Sequence, residues 1–127
     1  MPQRFKVLAV DDENDILLIL RTSLRDDYDV MTASNGPEAL QKIAEDFPDV
    51  VILDMMMPEM DGIEVLEEIR RNPATATLPV IFLTGVSDRS KIREALDKGT
   101  AYYLTKPFNH RELSSRVEQA LREANKS

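Results

Sequence analysis

The stretch Val7–Asp15, "VLAVDDEND", decides how the rest of the chain is read. Four apolar residues read as a strand and stop abruptly at Asp11, Asp12 and Glu13. Adjacent carboxylates repel, and crowding them at the end of a buried element costs stability unless something positive sits there. A solvated turn with a helix cap is the plain reading. A site built for a cation is the sharper one.

Four further apolar runs follow, so that the five are Phe5–Val10, Asp29–Ala33, Val50–Leu53, Pro79–Leu83 and Ala101–Leu104. Several are continuously apolar, as strands covered on both faces are. Helical patterns fill the gaps. Asn14 is placed to cap a first helix whose inner face is Ile16, Leu17, Leu20 and Leu24. Gly36-Pro37 opens a second, with Leu40, Ile43 and Ala44 inward. Asp61 caps a third with Ile63, Leu66 and Ile69. Ser87 or Asp88 caps a fourth with Ile92, Ala95 and Leu96 inward and Gly99 as its stop. Asn109 and Glu112 have the spacing of a capping box for a fifth, striped by Leu113, Val117, Ala120 and Leu121. Strand–helix alternation of this kind predicts an α/β fold, a doubly wound parallel sheet with helices on both faces.

The totals narrow the function. A chain of 127 residues suits one domain, and 43% hydrophobic content supplies a core. A net charge of −7 argues against direct contact with nucleic acid or an anionic membrane. The absence of cysteine excludes disulfides, zinc thiolates and thiol catalysis. No apolar run reaches the length of a membrane span, and the start is too short and too soon acidic for a signal peptide, so a cytoplasmic protein is expected. Met1 reads as a natural beginning, and the polar tail 123–127 as a terminus or the stub of a linker.

In an open parallel sheet, ligands bind beyond the carboxyl ends of the strands. The residues there are Asp11-Asp12, Asp54, Thr84 and Lys106. Three carboxylates within a few ångströms stay ionised only beside a cation. An all-oxygen set suits a hard ion, and Mg²⁺ is the ordinary one beside phosphate. Lys106 as a point charge and Thr84 as a hydroxyl donor suit phosphoryl oxygens. An aspartate held there is a nucleophile for phosphoryl transfer.

Four segments, each at a strand end, now match a known pattern: Asp11-Asp12, "PDVVILDMMMPEMDG" (Pro48–Gly62), Thr84-Gly85 and "YYLTKPF" (Tyr102–Phe108). Across nearly its whole length the sequence resembles a response-regulator receiver domain of two-component signalling. The resemblance implies a flavodoxin-like sheet of order 2-1-3-4-5 in a single domain over residues 1–127. It implies that Asp54 accepts a phosphoryl group from a histidine kinase or histidine phosphotransfer protein. Asp11, Asp12, Asp54 and the Met56 backbone carbonyl would hold Mg²⁺, and Lys106 would contact the phosphoryl group. Thr84 would follow that group, and Tyr103 would swing inward behind Thr84. The Lys106–Pro107 bond would be cis. The surface of the fourth helix, fifth strand and fifth helix would change shape, to engage a downstream protein or a second copy in a phosphorylation-dependent dimer. Tyr102 would face the other way and be structural, and His110, the sole histidine, would be solvated.

One departure concerns Met56 and Val86, two residues after Asp54 and Thr84. Many receivers carry polar residues there, which orient a hydrolytic water; apolar ones predict a comparatively long-lived acyl phosphate. Two alternatives stay open. One is a Mg²⁺-dependent phosphatase with an aspartyl nucleophile, like the haloacid-dehalogenase group, although those show Asp-x-Asp at the first strand and carry a cap domain. The other is a receiver-like module that no longer uses phosphate.

Overall fold

A computed structural model describes residues 4–85, 89–98 and 102–124. The elements alternate: β1 (Lys6–Val10), α1 (Asn14–Leu24), β2 (Asp29–Ala33), α2 (Gly36–Glu45), β3 (Val50–Asp54), α3 (Gly62–Arg71), β4 (Val80–Thr84), α4 (Arg89–Asp97), β5 (Tyr102–Thr105) and α5 (His110–Ala124). The five strands form one sheet of order β2-β1-β3-β4-β5, every pairing parallel. This is the doubly wound sheet that the alternation predicts.

Strand composition follows position. All five residues of β3 and of β4 are buried. They lie inside the sheet with helices on both faces, so an unbroken apolar run is the stable choice. The edge strands read differently: Ala33 alone is buried in β2, and Leu104 alone in β5. Alternate strand residues serve two cores. Leu8, Val10, Val51, Leu53, Val80 and Phe82 pack against α2, α3 and α4. Val7, Ala9, Val50, Ile52, Ile81 and Leu83 pack against α1 and α5. Each fully buried Val, Leu, Ile or Phe among them stabilises the fold by roughly 1.5–3 kcal/mol.

The helix starts show local chemistry at work. Asn35 accepts from Glu38 N at 2.8 Å ahead of α2, and Pro37 sits in that helix's first turn. Asp61 and Glu64 close a reciprocal capping box on α3, at 2.9 and 3.1 Å. Asn109 and Glu112 do the same on α5, at 2.8 and 3.3 Å. The cap of α1 falls on Glu13 rather than Asn14, and the Glu13 side chain makes no capping bond. Two inward assignments are corrected as well. Ala44 is exposed while Ala39 is buried, and Leu96 is exposed while Ala95 is buried. Both misses are about one position of rotation on short helices, where an alanine can sit on either side of the stripe. Against the expected runs, β1 starts one residue later, at Lys6, β3 ends one later, at Asp54, β4 moves by one at both ends, and β5 runs one further, to Thr105. The expected signals at Ser87, Asp88 and Gly99 lie outside the described residues, as does Ala101.

Candidate functional site

The carboxyl ends of β1, β3, β4 and β5 meet at one rim, and the backbone ladder is what aligns them. Asp11 N donates to Ala33 O at 3.2 Å, Met55 N to Leu83 O at 3.0 Å, and Lys106 N to Thr84 O at 2.7 Å. Each strand end is thus tied to its neighbour at the residue where the ladder stops. Asp11 is wholly buried, Asp54 and Thr84 nearly so, whereas Asp12 is exposed. The adjacent aspartates therefore differ: Asp11 belongs to the interior of the site and Asp12 to its mouth.

Lys106 bridges the two buried acids. Its Nζ donates to Asp11 Oδ2 at 3.1 Å and to Asp54 Oδ1 at 3.2 Å. Backbone N–H groups also reach both acids. Asp11 Oδ1 accepts from Glu13 N at 2.9 Å, and Asp54 Oδ1 from Met56 N at 3.4 Å. Burial, and then the charge of Asp11, push Asp54 up from its ordinary value to about 7, against the opposing pull of Lys106. Burial works against the ammonium of Lys106, yet Asp54 and Asp11 together hold it above its ordinary value. One lysine leaves the acids incompletely neutralised, so the site retains room for more positive charge.

The donor set says what kind. Asp11, Asp12 and Asp54 each offer a carboxylate oxygen, and the three lie within 4.8 Å of one another. Among the described residues this is the group of acidic or imidazole ligands close enough to share an ion. Oxygen donors suit a hard divalent cation such as Mg²⁺, and three carboxylates facing one ammonium leave charge that such a cation can neutralise. The residues present fit Mg²⁺.

The other residues singled out in the sequence are placed as follows. Thr84 ends β4, and its hydroxyl donates to Gly85 O at 3.2 Å rather than to a carboxylate. Tyr103 pairs in register with Phe82, and Thr105 with Thr84, so Tyr103 lies on the Thr84 face of the sheet. It is 43% exposed. Tyr102 packs on the opposite face against the α1 and α5 core, and its hydroxyl donates to Glu123, as a structural role requires. The side chain of Met56 is exposed, and His110 is exposed in the first turn of α5. Val86 lies outside the described residues. The Lys106–Pro107 bond is cis. One residue at the site has no role assigned from the sequence: Gly62, whose backbone N donates to Met55 O at 2.9 Å, one residue past Asp54. A glycine in a helix's first turn signals nothing by itself.

Known proteins share this fold. The family model described as the response regulator receiver domain matches residues 7–118. The alkaline phosphatase synthesis transcriptional regulatory protein PhoP of Bacillus subtilis is 42% identical over 118 residues, 92% of this chain and 48% of PhoP. The transcriptional regulatory protein KdpE of Mycobacterium tuberculosis is 46% identical over 117 residues, 91% of this chain and 50% of KdpE. The chain spans about half the length of these curated relatives. Among solved structures, a response regulator receiver domain protein from Clostridium thermocellum matches with a TM-score of 0.88 and 36% identity, over 94% of this chain and 96% of that one. The chemotaxis protein CheY4 of Vibrio cholerae matches with a TM-score of 0.88 and 35% identity, over 93% and 99%. The chain belongs to the response regulator receiver domain family of two-component systems.

Proposed function

We propose that Asp54 accepts a phosphoryl group from a phosphohistidine on a histidine kinase or phosphotransfer protein, and that residues 1–127 act as one receiver domain. One Asp54 oxygen attacks phosphorus while the phosphorus–nitrogen bond of the donor breaks. The leaving imidazole keeps the electron pair and takes up a proton. Asp11, Asp12, Asp54 and the Met56 carbonyl hold Mg²⁺. Bound there, the ion supplies neutralisation of charge on the phosphoryl oxygens and on the acids. Lys106 holds the phosphoryl group as a point charge, and Asp11 keeps the lysine aimed. The observation that carries this reading is the bridging ammonium, 3.1 and 3.2 Å from two buried acids at one rim.

The output is a change of surface. The phosphoryl group adds about two negative charges and strong acceptor oxygens. The Thr84 hydroxyl leaves Gly85 to follow them, and Tyr103 fills the space behind it. Swinging a population from 1:99 to 99:1 takes roughly 5.5 kcal/mol. A few charge-assisted hydrogen bonds, at about 1.5–3 kcal/mol each, reach that. The face of α4, β5 and α5 then meets a downstream protein, a second copy, or the effector half of a longer regulator. Direct contact with nucleic acid by this acidic domain is not part of the reading.

Incubation with Mg²⁺ and acetyl phosphate tests it. Intact-mass analysis should show one added phosphate, absent without Mg²⁺ and absent in Asp54→Asn. Label that persists in the variant would put the acceptor elsewhere, and steady turnover of a small phosphoester would favour a phosphatase. Met56 adds a second-order expectation: an apolar side chain beside the acceptor orients no hydrolytic water, so the acyl phosphate is long-lived. Met56→Glu or Met56→Asn should shorten its lifetime, and an unchanged lifetime would refute that point alone.

A further inference from the structure

Gly62 is the first residue of α3, directly after the cap Asp61. A Cβ added there would lie 2.5 Å from the main-chain oxygen of Asp54, 2.7 Å from Cε1 of Phe82 and 2.9 Å from Cα of Met55. Non-bonded heavy atoms settle at about 3.5–4.0 Å. These neighbours are main chain and a fully buried ring, with no flexible end to swing aside. Gly36, at the start of α2, is crowded in another way. Its Cβ would meet Sδ and Cγ of Met60 at 2.8 and 3.0 Å and Cγ2 of Val65 at 3.0 Å. None of those atoms belongs to the Asp54–Met55 main chain: the unbranched Met60 can give way, and what buried Val65 cannot yield falls on the α2–α3 contact rather than on β3.

We propose that Gly62 is a positioning residue for the acceptor. Its bare α-carbon sets how closely α3 seats on the Asp54–Met55 backbone. Through that backbone it sets where the Asp54 carboxylate and the Met56 main chain stand relative to Asp11 and Asp12. The inference rests on the reading of Asp54 as acceptor and metal ligand. Neither side of the contact is free to retreat. Asp54 is in register with Leu83, and Met55 N is bonded to Leu83 O. On the other side, α3 is held by its capping box and by buried Ile63, Val65, Leu66 and Ile69. A methyl group therefore forces a displacement of roughly 0.5–1 Å, shared between strand and helix. Mg²⁺ demands near-ideal octahedral geometry at about 2.0–2.1 Å, so the strand's share falls on metal affinity as well as on stability.

The test compares wild type, Gly62→Ala and Gly36→Ala at a temperature where melting curves show all three folded. Mg²⁺ affinity is read by calorimetric or NMR titration, and phosphoryl uptake from acetyl phosphate by intact mass. Gly62→Ala should bind Mg²⁺ roughly 10–100-fold more weakly, the loss typical when the groups that orient metal ligands are disturbed. Gly36→Ala should bind like wild type whatever its melting temperature. Wild-type affinity in Gly62→Ala would mean that the helix yielded alone, which overturns the proposal. Equal weakening in both variants would mean general loosening and overturns it too. If Gly62→Ala does not fold, Gly62→Ala with Phe82→Leu relieves the ring contact and keeps the one at Asp54. That double variant must still bind weakly, and wild-type affinity in it overturns the proposal. A wild-type protein that takes up no Mg²⁺ would instead sink the acceptor reading itself, so the two failures are distinct.

Discussion

The rim has two halves, and they are held with different firmness. On the β1–β3 side, Asp11 and Asp54 are buried, each bonded to a backbone N–H two residues on and both to Lys106. The helix behind them, α3, buries five residues. On the β4–β5 side β4 is buried throughout, but the Thr84 hydroxyl donates to a neighbouring carbonyl, and the elements outside it are thinly packed: β5 buries only Leu104. Tyr103 and Leu96 are 43% and 47% exposed, and Ala95 is the one buried residue among the described residues of α4. Few buried contacts mean a low cost of rearrangement, and many mean a high one. The proposed function needs both: an acceptor whose geometry is fixed, and a surface that can move in answer. The halves meet at Lys106, which follows β5 and reaches across to the acids of β1 and β3.

The largest effect should come from the firm half. Asp54→Asn should abolish phosphoryl uptake in the intact-mass assay, and yet the variant should be the more stable protein without metal. The wild-type carboxylate is raised to about 7 in the folded state. Between roughly pH 4 and 7 the folded chain keeps a proton that the unfolded chain releases, so stability falls as pH rises through that window and levels off above it. In chelator at pH 8 the Asn variant should gain on the order of 2–4 kcal/mol relative to wild type, and near pH 4 almost nothing. Urea melts at both pH values check this; equal differences at both would break the electrostatic account of the firm half.

Lys106→Ala comes next. It leaves two buried carboxylates facing each other, so the metal-free protein should lose on the order of 3 kcal/mol in a urea melt. Added Mg²⁺ should restore most of that, because the three acids remain. The variant should still bind Mg²⁺ and fail to propagate the switch, and failure to bind would mean that Lys106 builds the metal site rather than linking the halves. The packing contrast is tested by truncation. Leu66→Ala, on α3, should cost about 3 kcal/mol, and Ile92→Ala, on α4, about 1 kcal/mol. Equal costs would erase the difference between the halves.

What the sequence showed of all this follows the same division. The firm half was legible because its residues end unbroken apolar runs, and a parallel sheet brings strand ends together whatever their separation in the chain. Asp54 and Lys106 are 52 residues apart and still meet. The unequal burial of Asp11 and Asp12 was not legible, since two adjacent aspartates look alike until the β1–β2 ladder fixes one of them. Gly62 was hidden for a similar reason: its close approach to Asp54 is tertiary, and the first turn of a helix places no local demand on glycine. The loose half was harder still. In α4 Ala95 is the one buried residue among those described, and Leu96 stands next to it in the chain, so the apolar spacing alone puts both inward while the fold buries only the alanine.

The smallest perturbation probes the loose half most directly. The chain has no tryptophan, so Tyr103→Trp gives a single reporter on the outward face of β5. Its ring replaces one already 43% exposed, so stability should change by less than about 0.5 kcal/mol. The unphosphorylated protein should show solvent-exposed emission. Mg²⁺ and acetyl phosphate should shift it to the blue, because Thr84, drawn toward the phosphoryl group, leaves space that the indole can enter. Thr84→Ala in the same background separates the parts: phosphoryl uptake persists, since the hydroxyl is not the nucleophile. The blue shift, however, should no longer depend on phosphate, because a methyl has no hydrogen bond to follow. An indole that stays exposed in the phosphorylated protein with Thr84 intact would show that the response does not pass through β5, and thin packing alone would then not make this half the moving one.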